Sequence, residues 1–210
     1  MNERKKKLGV ALMGLGSYST GQLAPAFEYS EHCGLAGIVT GTLVKASMWS
    51  RKYDIPKKNI YNYENFERII DNEDVDIVYV VLPNALHAKY VIKAAEAKKH
   101  VICQKPMAVS SNECSEMIAA CKENGVKLSI DYRLHFDPFH QHLMSLREPW
   151  QYINGAFAFE LKNSKQWRQD KHLSGGGPLM DLGIYCVQAG CYLLESQPEF
   201  VTAQSKNVSP

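Results

Sequence analysis

Over its first 130 residues the chain alternates short runs that are apolar throughout with stretches of helical spacing, and no other feature constrains the fold as tightly. The runs are LGVALMGLG (8–16), GLAGIVTG (34–41), VDIVYVVLP (75–83), HVICQKP (100–106) and VKLSIDY (126–132). A strand without a polar face needs cover on both sides. Parallel strands joined by helices in right-handed crossovers provide it. Residues 85–98 carry Ala, Leu, Val and Ile with lysines on the other side. Residues 111–124 follow Ser110, with Glu113 three positions on, which is a capping-box pattern. Gly125 suits the position just past that helix. The expectation is an α/β fold, a doubly wound parallel sheet, over residues 1–130.

From residue 131 the texture changes, and residues 131–210 read as the start of a smaller α+β unit. Asp137-Pro138 leads a short helical stretch, and YINGAFAFELK (152–162) alternates as a half-buried strand does. In LSGGGPLMDLGIYCVQAGCYLLES (173–196), three glycines and Pro178 open a helix of about 16 residues, proline being well placed in a first turn. EFVTAQ (199–204) reads as a last strand. The net charge of +2 is too small to argue for nucleic acid, and Arg4 to Lys7 read as a solvated end. No apolar run approaches the roughly 20 residues needed to span a bilayer. The N-terminus lacks the apolar stretch of a signal peptide. Six cysteines, at 33, 103, 114, 121, 186 and 191, form no CxxC pair. They read as reduced thiols of a cytoplasmic protein.

The glycine-rich end of the first run carries the clearest chemistry. Gly14 and Gly16 match the first two positions of G-x-G-x-x-G/A, with Ser17 and Tyr18 following and the small Ser19 in third place. Directly after a strand and before a helix, this turn reads as a Rossmann dinucleotide site, which would seat a pyrophosphate on the helix N-terminus. Such sites place an Asp or Glu about 20 residues on for the ribose 2′-OH. Here the second run ends in Thr40-Gly41-Thr42, with Lys45 beyond. Hydroxyls and a cation accept a 2′-phosphate that a carboxylate would repel, which favours NADP(H) over NAD(H). The alternative is that these are surface lysines of a helix.

Leu82, Pro83, Asn84 and His87 close the third run, at the end of the sheet where ligands bind. A lone histidine beside a helix start serves structure or capping as readily as a ligand. His140 and His142, two apart, do not share a helix face and make no metal pair, so no metal is expected. Asp181 and Tyr185 are four apart and share one face. They could move a proton, bind a hydroxyl, or be an inconsequential surface pair.

Taken in order, GLGSYS, LPNALHA, KHVICQKPMAVS, DYRLHFDP, KQWR and LSGGGPLMDLGIY resemble the Gfo/Idh/MocA oxidoreductases almost end to end. The likeness is to the glucose–fructose oxidoreductase branch, where tyrosine stands at the position of Tyr185. That resemblance implies an NADP(H)-dependent oxidoreductase acting on a sugar or polyol. It implies that Lys105 lies beside nicotinamide and the reacting carbon, and that Tyr185 is the acid/base, with Lys105 favouring its phenolate. Asp181 would hold the substrate hydroxyl, and Tyr132, Arg133, Trp167 and Arg168 would shape the pocket. Gln104 stands where the family has glutamate, so a charge is lost. A cofactor-binding regulator without turnover and a structural or oligomerisation partner are the alternatives. The family's second domain is longer and supports homo-oligomers, so the chain reads as a fragment, a truncated gene product or an incompletely represented chain, and the short second domain puts a family-type homo-oligomer in question.

Overall fold

The computed structural model describes residues 7–146, 148–158, 160–161 and 166–204. Six parallel strands form one sheet. They are β1 (Leu8–Met13), β2 (Cys33–Val39), β3 (Ile60–Tyr61), β4 (Ile77–Val80), β5 (His100–Gln104) and β6 (Leu128–Asp131). Their order is β3-β2-β1-β4-β5-β6, the doubly wound order with a switch point between β1 and β4. The five apolar runs of the sequence are five of these strands. The two-residue β3 is an addition that the sequence reading did not contain.

Side chains on each strand alternate between two cores, as the pleat requires. Ala11, Met13, Val78, Val80, Val101 and Cys103 face one core, shared with Phe66, Ile69 and helices α3 (His87–Glu96) and α4 (Ser111–Glu123). Val10, Leu12, Ile38, Ile77 and Tyr79 face the other. That side is covered by α1 (Ala24–Tyr29) and by α2 (Leu43–Tyr53), which contributes Trp49. The capping of α4 follows the sequence pattern. Ser110 Oγ accepts from Glu113 N at 3.2 Å, and Glu113 Oε2 accepts from Val109 N at 3.1 Å. Gly125 follows at φ +68°, left-handed backbone that glycine adopts without strain.

Beyond the sheet lie α5 (Pro138–Ser145), α6 (Lys171–Ser174) and α7 (Ile184–Leu193), the last led by a π-helical turn over Leu179–Gly183. The helix expected after Pro178 is therefore present. The strand expected over 152–162 is not. Its described residues, up to 158 and at 160–161, are irregular. Residues 200–204 are likewise without strand structure. An alternating segment becomes a strand only where a neighbour takes its backbone hydrogen bonds, and no described segment pairs with either. All six cysteines are free thiols. Among the described residues no helix is long and apolar enough to cross a membrane.

Candidate active site

A cleft of about 570 Å³ lies at the carboxyl ends of β1, β2, β4 and β5. Its floor is the turn after β1. Gly14 sits at φ +94°, and a side chain there would stand 2.2 Å from the Val81 carbonyl oxygen. The turn is pinned from both sides: Gly14 N donates to Val39 O at 3.1 Å and Ser19 Oγ to Gly14 O at 2.6 Å. A Cβ added at Gly16 would meet nothing within 4 Å. The backbone there is bare towards the cleft, which is the cradle a pyrophosphate needs. Ser17, Tyr18, Thr40, Thr42 and Lys45 line the same wall. Lys45 Nζ reaches back to donate to Leu15 O at 3.1 Å.

The opposite wall is built by chain segments far apart in sequence. Asn84 Nδ2 donates to Ser174 O at 2.9 Å, which ties the loop after β4 to the glycine triplet. Gly175 closes that contact at φ +68°, where a Cβ would stand 2.1 Å from Val109. The triplet delivers Asp181 into the cleft. Lys105 Nζ donates to Asp181 Oδ1 at 2.8 Å and to its backbone oxygen at 2.5 Å, while Arg168 Nε donates to Oδ2 at 2.6 Å. Burial alone would raise the Asp181 pKa, but Lys105 and Arg168 hold the carboxyl below its ordinary value. Trp167 stacks under Arg168, with 4.5 Å from the guanidinium to the ring centre.

One turn further on, Tyr185 presents its ring face to Lys105 Nζ at 4.9 Å. Burial raises its pKa, and Arg133 beside the hydroxyl pulls it part of the way back. The phenol therefore keeps its proton at neutral pH. The cation at the oxygen is Arg133, whereas the sequence reading gave that part to Lys105.

Of the residues singled out in the sequence, Gly14, Gly16, Ser17, Tyr18, Thr40, Thr42, Lys45, Leu82, Pro83, Asn84, Gln104, Lys105, Arg133, Trp167, Arg168, Asp181 and Tyr185 all line this one cleft. His87 and Tyr132 are not among its lining residues. His87 is fully buried, with Nδ1 2.8 Å from Pro106 O and Nε2 2.9 Å from Leu82 O. It pins together the two loops that carry Pro83 and Lys105. Tyr63 and Leu182 line the cleft without having been singled out. Tyr63 packs against Gly41. It follows the two-residue β3, too short to show a pattern.

A doubly wound sheet with a glycine turn at its switch point defines a dinucleotide-binding protein. Residues 8–132 match the model described as the oxidoreductase family with an NAD-binding Rossmann fold, and residues 150–210 match the C-terminal domain of the same group. The chain belongs to the Gfo/Idh/MocA family. It is 33% identical over 198 residues to the D-xylose 1-dehydrogenase [NADP(+)] of Haloarcula marismortui, covering 90% of this chain and 54% of that protein. The crystal structure of aldose–aldose oxidoreductase from Caulobacter crescentus, complexed with glycerol, superposes with a TM-score of 0.85 at 43% identity. That match covers 92% of this chain and 59% of that one. A 3-ketoreductase from Actinomadura kijaniata shares the fold at a TM-score of 0.78 and 23% identity, over 90% of this chain and 58% of that one. The chain thus spans little more than half the length of these relatives.

Proposed function

We propose that this chain belongs to an NADP(H)-dependent oxidoreductase that moves hydride between nicotinamide and a carbinol or carbonyl carbon of a sugar or polyol. The observation that carries this reading is the meeting of Lys105, Asp181, Arg168 and Tyr185 in the cleft that also holds the glycine turn. The Gly14–Tyr18 turn would hold the pyrophosphate, and Thr40, Thr42 and Lys45 the 2′-phosphate. The bound cofactor supplies or accepts the hydride. Tyr185 holds the proton that the substrate oxygen gains or loses, with Arg133 steadying the phenolate when the proton has left. Asp181, which the resemblance assigns to the substrate hydroxyl, has both carboxylate oxygens taken by Lys105 and Arg168 and instead fixes Lys105 so that its ammonium lies over the Tyr185 ring. An ammonium so placed polarises a carbonyl oxygen or steadies an alkoxide. The sugar class is supported by the relatives, which include a xylose dehydrogenase and an aldose–aldose oxidoreductase. We retain residues 1–130 as the nucleotide-binding unit and 131–210 as part of the substrate unit.

Calorimetric titration of the chain with NADP⁺ and NAD⁺, followed by assay with a panel of aldoses and polyols, tests the reading. NADP⁺ should bind at least about tenfold tighter, since one charge-assisted contact contributes about 1.5–3 kcal/mol. Equal affinity, or a preference for NAD⁺, would overturn the cofactor assignment.

A further inference from the structure

Beneath the cleft one carboxylate gathers donors from three separate parts of the fold. Asp131, the last residue of β6, accepts on its Oδ2 from the Tyr79 hydroxyl of β4 at 2.5 Å and from the Tyr18 hydroxyl of the glycine turn at 3.4 Å. The same oxygen accepts from Gln104 Nε2 at the end of β5. Gln104 Nε2 also donates to the Tyr79 hydroxyl at 2.9 Å. Two of these donors, Tyr18 and Gln104, line the cleft themselves. Burial first and Asp131 second push the Tyr18 pKa up to about 12, so its hydroxyl stays a donor.

A carboxylate only accepts hydrogen bonds, whereas an amide has one donating and one accepting end. Asp131 therefore decides which way the Gln104 amide faces. Nitrogen goes to the carboxylate and the carbonyl oxygen to the other side. We propose that Asp131 is a positioning residue: it sets the Gln104 amide so that its carbonyl oxygen meets the bound nucleotide beside Lys105, and it anchors Tyr18 and with it the pyrophosphate turn. This rests on the oxidoreductase reading above.

The pair can be tested by exchange. Gln104→Glu alone sets two carboxylates within hydrogen-bond distance, where like charges repel. Asp131→Asn alone puts two amides together and leaves their orientation undetermined. The double variant Gln104→Glu/Asp131→Asn restores one carboxylate and one amide, with the accepting group now at 104. NADP⁺ and NADPH affinities are measured by calorimetry on the 210-residue chain, with melting temperature followed in parallel. Each single variant should weaken NADP⁺ binding about tenfold, and the exchange should return it to within about threefold of wild type, as strongly coupled neighbours do. Single variants that bind as wild type overturn the proposal. So does an exchange that recovers the melting temperature but not the affinity, since the pair would then only hold the fold. If a single variant does not fold, an exchange that folds but binds no better than tenfold below wild type overturns it equally. A wild-type chain that binds neither nucleotide removes the oxidoreductase reading and this proposal with it. A wild-type chain that binds, with variants that fail the exchange, removes the proposal alone.

Discussion

Tyr185 faces two cations that act on different parts of it. Arg133 stands at the oxygen and lowers the cost of losing the proton, while Lys105 lies over the ring. Because burial outweighs Arg133, the phenol is protonated at neutral pH, the state the proposed proton donor needs. Wherever turnover is measured, Tyr185→Phe and Lys105→Ala should each lower kcat by about a hundredfold or more, the ordinary contribution of a positioned acid or base. Nucleotide affinity should change less, and an unchanged rate in Tyr185→Phe would route the proton elsewhere. Asp181 allows a test that needs no turnover. Removing its charge by Asp181→Asn leaves Lys105 and Arg168 without their anion, at a cost of about 3 kcal/mol. The carboxyl is held below its unfolded value, so its contribution is complete above the unfolded pKa of about 3.9 and fades as pH falls through the lower folded value. Because the segment carrying Asp181 opens before the sheet, urea melts followed at that segment should differ between the two proteins by a constant amount from neutral pH to about pH 5 and converge below it. A gap that widens in acid would show that Asp181 is not the ion the geometry makes it. Gln104 likewise changes meaning with its surroundings. The resemblance implies that a charge is lost at 104, yet the fold places the Asp131 carboxylate against that same side chain.

What could be read along the chain was whatever repeats locally. The apolar runs became β1, β2, β4, β5 and β6, and the Ser110–Glu113 pattern became the cap of α4. Ser110→Ala should cost about 1 kcal/mol, measurable as a lower denaturation midpoint with the m-value unchanged. No loss would mean that Glu113, bonded to Val109 N, holds that helix end unaided. Elements that depend on a partner could not be read this way. β3 has two residues, Ile60 and Tyr61, and exists because β2 pairs with it. Residues 152–158 alternate but meet no neighbouring strand, so their pattern lacks the ladder that would use it. The cleft divides in the same manner. Glycine turns and the Lys105-Pro106 strand end have local signatures, and they were legible. Tyr63 reaches the cleft through β3, and Asp131 reaches Gln104 and Tyr18 across the sheet. No spacing in the chain encodes those contacts. His87 shows the converse, a visible motif residue whose two ring nitrogens are taken by backbone carbonyls.

The two hydrophobic cores draw every fully packed member from residues 10–121. Beyond residue 130, Tyr185 is the one buried apolar side chain among the described residues, with Ser174 and Asp181 the buried polar ones. Phe157 (52% exposed), Leu179 (69%), Val187 (52%), Phe200 (84%) and Val201 (74%) stand open instead. Burial of apolar area is what holds a fold against chain entropy, so stability is distributed unevenly along this chain. The sheet and its helices should open only with the molecule as a whole, and the described segments after residue 146 should open at far lower cost. Apolar surface of this extent also promotes association. Limited proteolysis should therefore cut first within the irregular residues 148–158. It should leave an N-terminal fragment that still binds NADP⁺ through the Gly14–Tyr18 turn and Lys45. The fragment would lack Asp181 and Tyr185 and should show no sugar-dependent turnover. Light scattering of the intact chain should report association that the trimmed fragment has lost. A chain that resists protease along its whole length and stays monodisperse would show that α7 and its approach are held as firmly as the sheet, and would contradict this division.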